Sequence, residues 1–594
     1  MIASLRWHGA FAIMTSTMMR VALLIGICPI FAACAALPPA SDAVWRPTVT
    51  HAFGGEDGAY SPALVGNGDI CFRVGPFGDN STTWCEKAWT PPIFREGVRF
   101  GSDRHYELKS FGNYRLGFTI DGQAPDEPLE WTQTLDLRHG EAVGKVTYPN
   151  GVTVTTTVAV PLGIPAIVVR REIAGATGTC VQTLDYDGPA EVSAKRIEGA
   201  LAEWTIFFPT DGETVPASVS AAFAENRRAW ADYWAKTKAP PKDPALVRPY
   251  YAALYHLRCN ATKWSQPVGI ANDTWAGRYF AWDEFFCQMG LLYTGHADLA
   301  RRVSEFRARV LPAARARVYH NAKETCYGAA YPWETTEDGS DGTPPGYWNA
   351  HVFHGANVVE GAWNQYAQTQ DADFLKTTAW PIARDIARYY FTHVVYDDGK
   401  GGKYIGRVTD LERFGPAKER AFMTTCGVIN TFETSSRIAA LVGESADEAA
   451  CWRTTATALR ASLPERDGAF RALPAPDLDV ESVATVSGYF PYRVFGPDEP
   501  RAIAALRHFD RVAATAGNMY NYGERVCSWY AAWISAAASR AGEREIALKW
   551  AKVAAESAGL FGECWEIRES ATVRSRPWFA TASGMFAYAC SQLK

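Results

Sequence analysis

The chain of 594 residues reads as two folds in series, an N-terminal antiparallel super-β-sandwich and a C-terminal all-α (α/α)6 toroid, joined by a linker helix. Three observations predict this. The length exceeds what one hydrophobic core ordinarily serves. From Val44 to about Val215 short alternating runs rich in Val, Thr and aromatics are broken by Gly, Asp and Pro, which is strand punctuation. Beyond Asp243 about a dozen helix-sized amphipathic segments follow one another with no fixed-period repeat of the kind solenoids carry.

The sandwich is clearest between Gly144 and Ile173. Lys145 to Tyr148 and Val152 to Val160 flank a turn at Pro149-Asn150-Gly151, and a further strand runs from Ala166 to Ile173 after the break from Pro161 to Pro165. At Ala221 the period changes. Phe223, Trp230, Tyr233 and Trp234 mark one face of a helix to Lys236 that Pro240-Pro241 ends. The helical segments are then Ala245 to Cys259, Trp282 to Tyr293, Ala297 to Tyr319, His351 to Gln370, Ala372 to Val395, Cys426 to Leu441, Asp447 to Leu463, Ser482 to Tyr492, Pro500 to Ala516, Glu524 to Ala541, Glu543 to Gly559 and Phe579 to Leu593. This predicts a leader over 1–36, a sandwich over 44–218, a helical linker over 219–244 and a barrel over 245–594, with six inner and six outer helices alternating along the chain.

Arg20 and the apolar run from Val21 to Ala36 read as an export signal, too short for a membrane span. Phe31-Ala32-Ala33-Cys34 resembles a lipoprotein cleavage box, and Ala33-Cys34-Ala35 equally suits ordinary signal peptidase. The expected location is the periplasm or, with a lipid anchor on Cys34, the outer membrane. With 59 Lys plus Arg against 64 Asp plus Glu, no positive excess favours nucleic acid, and a neutral partner fits. The 21 tryptophans suit stacking on sugar faces, although a large core uses rings as well. Thirteen cysteines form no CxxC and no zinc spacing; Cys287, Cys326, Cys426 and Cys564 lie in the motifs below and read first as small buried hydrophobes. No metal or organic cofactor is expected.

Four loop segments concentrate chemistry where connections between helices ordinarily carry small polar residues. Phe280-Ala281-Trp282-Asp283-Glu284 opens an apolar helix, so Asp283 is either a cap or a carboxylate that grips sugar hydroxyls beside Trp282. Tyr331-Pro332-Trp333-Glu334 precedes a Gly/Pro-rich loop, after which His351 and His354 stand three apart on one helix face. Sugar contact suits that pair better than a metal lacking a third ligand. Gly406 to Pro416 holds Asp410 and Glu412 among Arg407 and Arg413, a salt-bridged loop or the seat of an acid whose pKa burial has raised. Glu563, Glu566 and Glu569 surround Trp565 before the last helix, an acidic patch by periodicity and part of a funnel by position.

Together these carboxylates fit hydrolysis of a glycosidic bond with inversion. A protonated Glu412, with Asp410 in reserve, donates to the leaving oxygen while Glu566 or Glu569 activates water about 6.5–9.5 Å away. Sugar-binding roles fall to Trp282, Asp283, Tyr331, Trp333, Glu334, His351, His354 and Trp565.

At the same four segments the chain resembles glycoside hydrolase family 65, the maltose, kojibiose and trehalose phosphorylases with related glucosidases. Tyr331-Pro332-Trp333-Glu334 matches the family's Tyr-Pro-Trp-Glu, and Trp282-Asp283-Glu284 is similar to its Phe-Trp-Asp, whose Asp binds the glucosyl unit. The helix through Trp363, Gln365 and Tyr366 resembles the family's His-initiated helix, with His354 the nearer match to its histidine. Val408-Thr409 through Glu412 is similar to its acid loop but one residue shorter, and the family's C-terminal sandwich is not expected after the barrel's last helix. The resemblance implies the six-hairpin glycosidase fold and an α-glucosyl substrate. A Glu before the final helix implies a hydrolase, since family phosphorylases place a phosphate-binding loop there. Trp565 beside Glu566 favours that residue as base, and spacing to Phe579 favours Glu569. Rival readings are a phosphorylase, an α-L-fucosidase or rhamnosidase of the same architecture, and an inactive glycan-binding lipoprotein.

Overall fold

The structure, a computed structural model, describes residues 41–52, 60–80, 92–99, 108–209, 214–271, 275–321, 327–411, 414–474, 482–516, 526–568 and 574–593. The leader with Cys34, Cys326 and two of the candidate catalytic residues, Glu412 and Glu569, lie outside them.

Seven strands form one antiparallel sheet in the order Thr48–Ala52, Glu130–Asp136, Glu141–Thr147, Thr153–Ala159, Ala166–Ala174, Leu201–Phe207, Glu191–Val192. The expected hairpin lies at its centre. Its turn places Asn150 at φ 65° and Gly151 at φ 77°, the left-handed region that Asn and Gly tolerate. Val154, Val158, Ile167 and Val169 are buried, and Thr153, Thr155 and Thr157 alternate with the first two at half-buried positions. A second layer consists of a four-stranded sheet, Ala63–Gly66, Ile70–Val74, Phe94–Arg99 and Leu108–Ser110, and a three-stranded one, Arg196–Glu198, Cys180–Tyr186 and Tyr114–Ile120. Polar groups tie the layers: Gln133 Oε1 accepts from the Ala63 amide, and Arg171 donates to the Gly117 carbonyl.

The linker helix Val219–Lys236 is capped by Ser218, whose side chain accepts from the Ala221 amide, and buries Phe223, Trp230, Tyr233 and Trp234 as its spacing predicts. Its Arg227 pairs with Glu141 of the large sheet at 2.6 Å, and the Trp234 indole donates to the Leu137 carbonyl. The helix is therefore bonded to the sandwich along its length.

From Pro244 onward the chain is mainly helical. Ala281–Tyr293 packs on His354–Thr369, which packs on Phe422–Val442. Ser528–Ala541 packs on Ala580–Gln592, which returns to Ala281–Tyr293. A non-helical segment with a 3-10 turn at Val483–Val486 contacts both Phe422–Val442 and Ser528–Ala541 and closes the ring. These helices are buried nearly all round. Their neighbours in sequence, such as Ala297–Arg309, Ala446–Arg460 and Arg544–Glu556, have one buried and one exposed face, as an outer layer must.

Three helix readings need correction. Ser482 to Tyr492 is not a helix beyond that 3-10 turn, because Gly488 and Pro491 interrupt it and Pro491 has no N–H to continue the ladder. It is nonetheless buried through Tyr489, Phe490 and Tyr492, which is why its apolar spacing passed for a helix face. Ala297 to Tyr319 is two helices, Ala297–Arg309 and Leu311–Asn321, parted before Pro312. His351 precedes its helix, which starts at His354. Among the described residues no helix is long and apolar enough to cross a membrane.

Candidate active site

Three ring helices begin in the same place, and each is entered through a short strand. Tyr279–Phe280 leads into Ala281–Tyr293, Val526–Cys527 into Ser528–Ala541, and Arg574–Pro577 into Ala580–Gln592. Their first turns face one pocket, so Asp283, Trp529 and Phe579 meet there although they are far apart in sequence. The pocket offers about 640 Å³ of space including its mouth and the solvent in it. Val268, Trp275, Arg278, Phe280, Trp333, Glu334, Pro344, Trp348 and Glu566 complete its walls. Rings and three carboxylates therefore converge at helix N-termini, whose dipoles favour negative charge.

Asp283 sits in the first turn of its helix, buried, and accepts from the Thr581 hydroxyl of the last helix. It is not an N-cap, since Phe280 holds that position. The neighbouring Glu284 points elsewhere, into a fully buried pair with Arg307 and Ser265.

Glu334 stands on the two-residue strand Glu334–Thr335, opposite Phe280 in an antiparallel pair with Tyr279–Phe280. Burial raises its carboxyl to about 7, against the pull of Arg278, which stays 3.6 Å away. Gly342 makes room for it: a β-carbon there would fall 2.9 Å from Glu334 Oε1. The sandwich braces this strand pair from behind. Arg99 of strand Phe94–Arg99 bonds Glu337 at 2.7 Å and the Gly277 carbonyl at 2.5 Å, holding both strands of the pair at once. Tyr279 adds a bond to the buried Glu96 at 2.9 Å.

Glu566 stands on strand Trp565–Arg568, which pairs with Val526–Cys527 on one side and Arg574–Pro577 on the other. Arg576 lies directly across the register and bonds Glu566 Oε2 at 2.6 Å, a contact that favours the ionised carboxylate. Arg576 also lies over the Trp275 ring. Glu566 is thus a charged carboxylate at the wall, half-buried, with a ring-backed cation as its partner.

The structure separates the remaining candidates from the pocket lining. Trp565 is fully buried and donates its indole N–H to Glu563, because alternate residues of a strand face opposite sides and Glu566 takes the pocket side. Glu563 accepts from the Phe561 amide as well. Trp282 is enclosed by Phe286, Phe353 and Trp533. The Tyr331 hydroxyl donates to the Arg307 carbonyl, and His354 Nε2 lies 2.9 Å from the Tyr331 carbonyl. His351 packs against Trp333 and Trp348, so both histidines back the wall and line none of it. Asp410 is fully buried and accepts from the Met423 and Thr424 amides and the Thr424 hydroxyl at the start of Phe422–Val442, where burial lifts it to about 6. Its bonds are those of a helix-end acceptor. Cys287, Cys426 and Cys564 are buried thiols pushed upward by desolvation, as read. Among the described residues no cluster suits a metal ion.

Sequence reasoning missed Trp275, Arg278, Trp348 and Trp529. Trp529 carries a signal that points to a ligand: its buried indole N–H has no partner among the described residues, a cost that an incoming hydroxyl oxygen would relieve. Nothing in the local spacing around it distinguishes that ring from Trp533 one turn on.

With this geometry in place, comparison with known proteins is informative. Residues 252–440 match the glycosyl hydrolase family 65 central catalytic domain. The kojibiose hydrolase of Mucilaginibacter mallensis is 30% identical over 174 residues, 28% of this chain and 25% of that protein. The periplasmic/secreted acid trehalase of Candida glabrata is 24% identical over 249 residues, 39% of this chain and 20% of that protein. The matched stretches thus span a quarter or less of those relatives. A solved structure described as a kojibiose phosphorylase from the human microbiome shares the fold, with TM-score 0.63 at 10% identity over 92% of this chain and 88% of that one. In sequence and fold the chain is therefore similar to glycoside hydrolase family 65, and residues 252–440 match the central catalytic domain of that family.

Proposed function

We propose that the protein is an exported glycoside hydrolase that cleaves an α-glucosyl linkage with inversion, in a pocket at one end of an (α/α)6 toroid. Glu566 is the base. The observation that carries this reading is its placement: an ionised carboxylate, paired with Arg576, on the wall of a ring-lined pocket shared with Asp283 and Glu334. A charged carboxylate facing a closed pocket can take a proton from water as that water attacks the anomeric carbon. Glu412 is the acid and gives its proton to the leaving oxygen. It follows strand Val408–Asp410 in sequence, where Asp410 is bonded to the start of Phe422–Val442. Asp283, fixed by Thr581, holds sugar hydroxyls, and the Trp529 indole donates to another. The kojibiose hydrolase and trehalase similarities support hydrolysis of a glucosyl disaccharide.

The test is product stereochemistry. Proton NMR of the first turnovers on kojibiose, trehalose and maltose in phosphate-free buffer should show the transferred glucosyl unit appearing as β-glucose before mutarotation, beside a leaving glucose that keeps its own anomeric state, which is α for trehalose. A transferred unit that appeared as α-glucose, with no β-glucose formed from trehalose, would overturn the inverting mechanism, and turnover only with added phosphate would make the enzyme a phosphorylase.

A further inference from the structure

The pocket wall does not stop at the pocket. Trp333 is 5% exposed at its floor, Trp348 is half-buried beside it with ring centroids 5.8 Å apart, and Tyr347 stacks on Trp348 at 4.8 Å and 28° with 42% exposure. Exposure rises step by step along three neighbouring rings, from the cavity to open solvent. A lone exposed tyrosine means nothing, but one stacked in line with two pocket tryptophans extends the surface that a ligand meets.

This outer ring is also held still. Tyr347 opens the 3-10 turn Tyr347–Ala350, and its carbonyl accepts from the Thr409 hydroxyl at 2.9 Å. Asn349 accepts from Arg317 at 3.0 Å, and the Trp348 carbonyl lies 3.1 Å from His351 Nδ1. The turn is therefore anchored on three sides, and a ring presented on it loses little freedom when it binds.

We propose that Tyr347 and Trp348 form an outer subsite for a further sugar ring, so that the pocket takes glycans of three or more units in preference to disaccharides. This rests on the reading of the pocket as a sugar site. A pyranose presents an apolar C–H face suited to a flat ring, and stacking of this kind changes affinity by roughly 5- to 10-fold.

Binding can be measured apart from turnover. In the Glu566→Gln background, calorimetric titration with kojibiose and kojitriose, and with maltose and maltotriose, should show the trisaccharide of one pair bound roughly 5- to 10-fold more tightly. Adding Tyr347→Ala should erase that gap and leave the disaccharide affinity unchanged, while Tyr347→Trp should restore it. Phenyl α-glucoside, whose single extra ring is aromatic, should bind no better than methyl α-glucoside. Equal affinities within both pairs, no binding by any member, or an equal loss for both lengths in Tyr347→Ala would overturn the subsite. Turnover of a disaccharide by the unaltered protein without a length gap sinks the subsite alone, and a length gap without turnover sinks the hydrolase reading alone.

Discussion

Two small strand pairs wall the pocket, each with one strand that leads into a ring helix, and each presents a glutamate. Their chemistry diverges because of register. Arg576 lies directly across from Glu566 and reaches it at 2.6 Å. Arg278 would lie across from Thr336, so it meets Glu334 only on the diagonal, at 3.6 Å. The first glutamate is a contact ion pair. The second is a buried acid held at about 7. A shift of two residues in pairing thus gives one glutamate a direct cationic partner and leaves the other raised by burial.

The largest test of this contrast is to neutralise the charged wall. Glu566→Gln should lower kcat on the disaccharide that the enzyme turns over by roughly 10³-fold, near the range for a general base, while calorimetry finds substrate still bound. Unchanged kcat would show that the base lies elsewhere. Next, Arg576→Met removes the directly opposed cation. Loss of that charge-assisted bond should lower kcat/KM by roughly 10- to 100-fold; an unchanged kcat/KM would show that the pair serves packing alone.

The other wall should respond in stability. A carboxyl raised from 4.5 to about 7 favours the fold most below about 4.5, where it is protonated in both states, and that contribution is lost as pH rises through 7. Glu334→Gln therefore should gain on the unaltered protein between pH 5 and 8, with Tm improving by roughly 2–5 °C across that interval. A difference that is flat with pH would mean that Glu334 is charged throughout. The smallest effect is expected behind the wall. Arg99 lowers the Glu334 pKa from a distance and clamps its strand pair. Arg99→Ala should raise KM several-fold with little change in kcat and move the Glu334 titration upward, and Arg99→Lys should recover part of both; equal losses in kcat and KM that Lys does not rescue would assign Arg99 to folding alone.

Much of the site was legible for a local reason. Asp283, Trp333, Glu334 and Glu566 were all found from short motifs, because carboxylates and rings packed into turn-rich loops are costly unless they do something. The same motifs misled wherever facing decided the outcome. Trp282, Tyr331 and Trp565 stand beside true lining residues yet turn into the core, and adjacency in sequence says nothing of which face a side chain takes. Asp410 was equally ambiguous, since a helix-end acceptor and a catalytic acid share composition.

The alternating and helical periods in the chain were sufficient to determine a sandwich, a linker and a succession of buried and half-buried helices, since burial of apolar faces is what those periods encode. Only the closed ring decided that first turns from the segments near 281, 528 and 580 share one pocket. Their meeting depends on contacts hundreds of residues apart, and no local spacing carries that information. Likewise the surroundings of the two glutamates follow from cross-strand register and burial, both of which exist only once the strand pairs are packed.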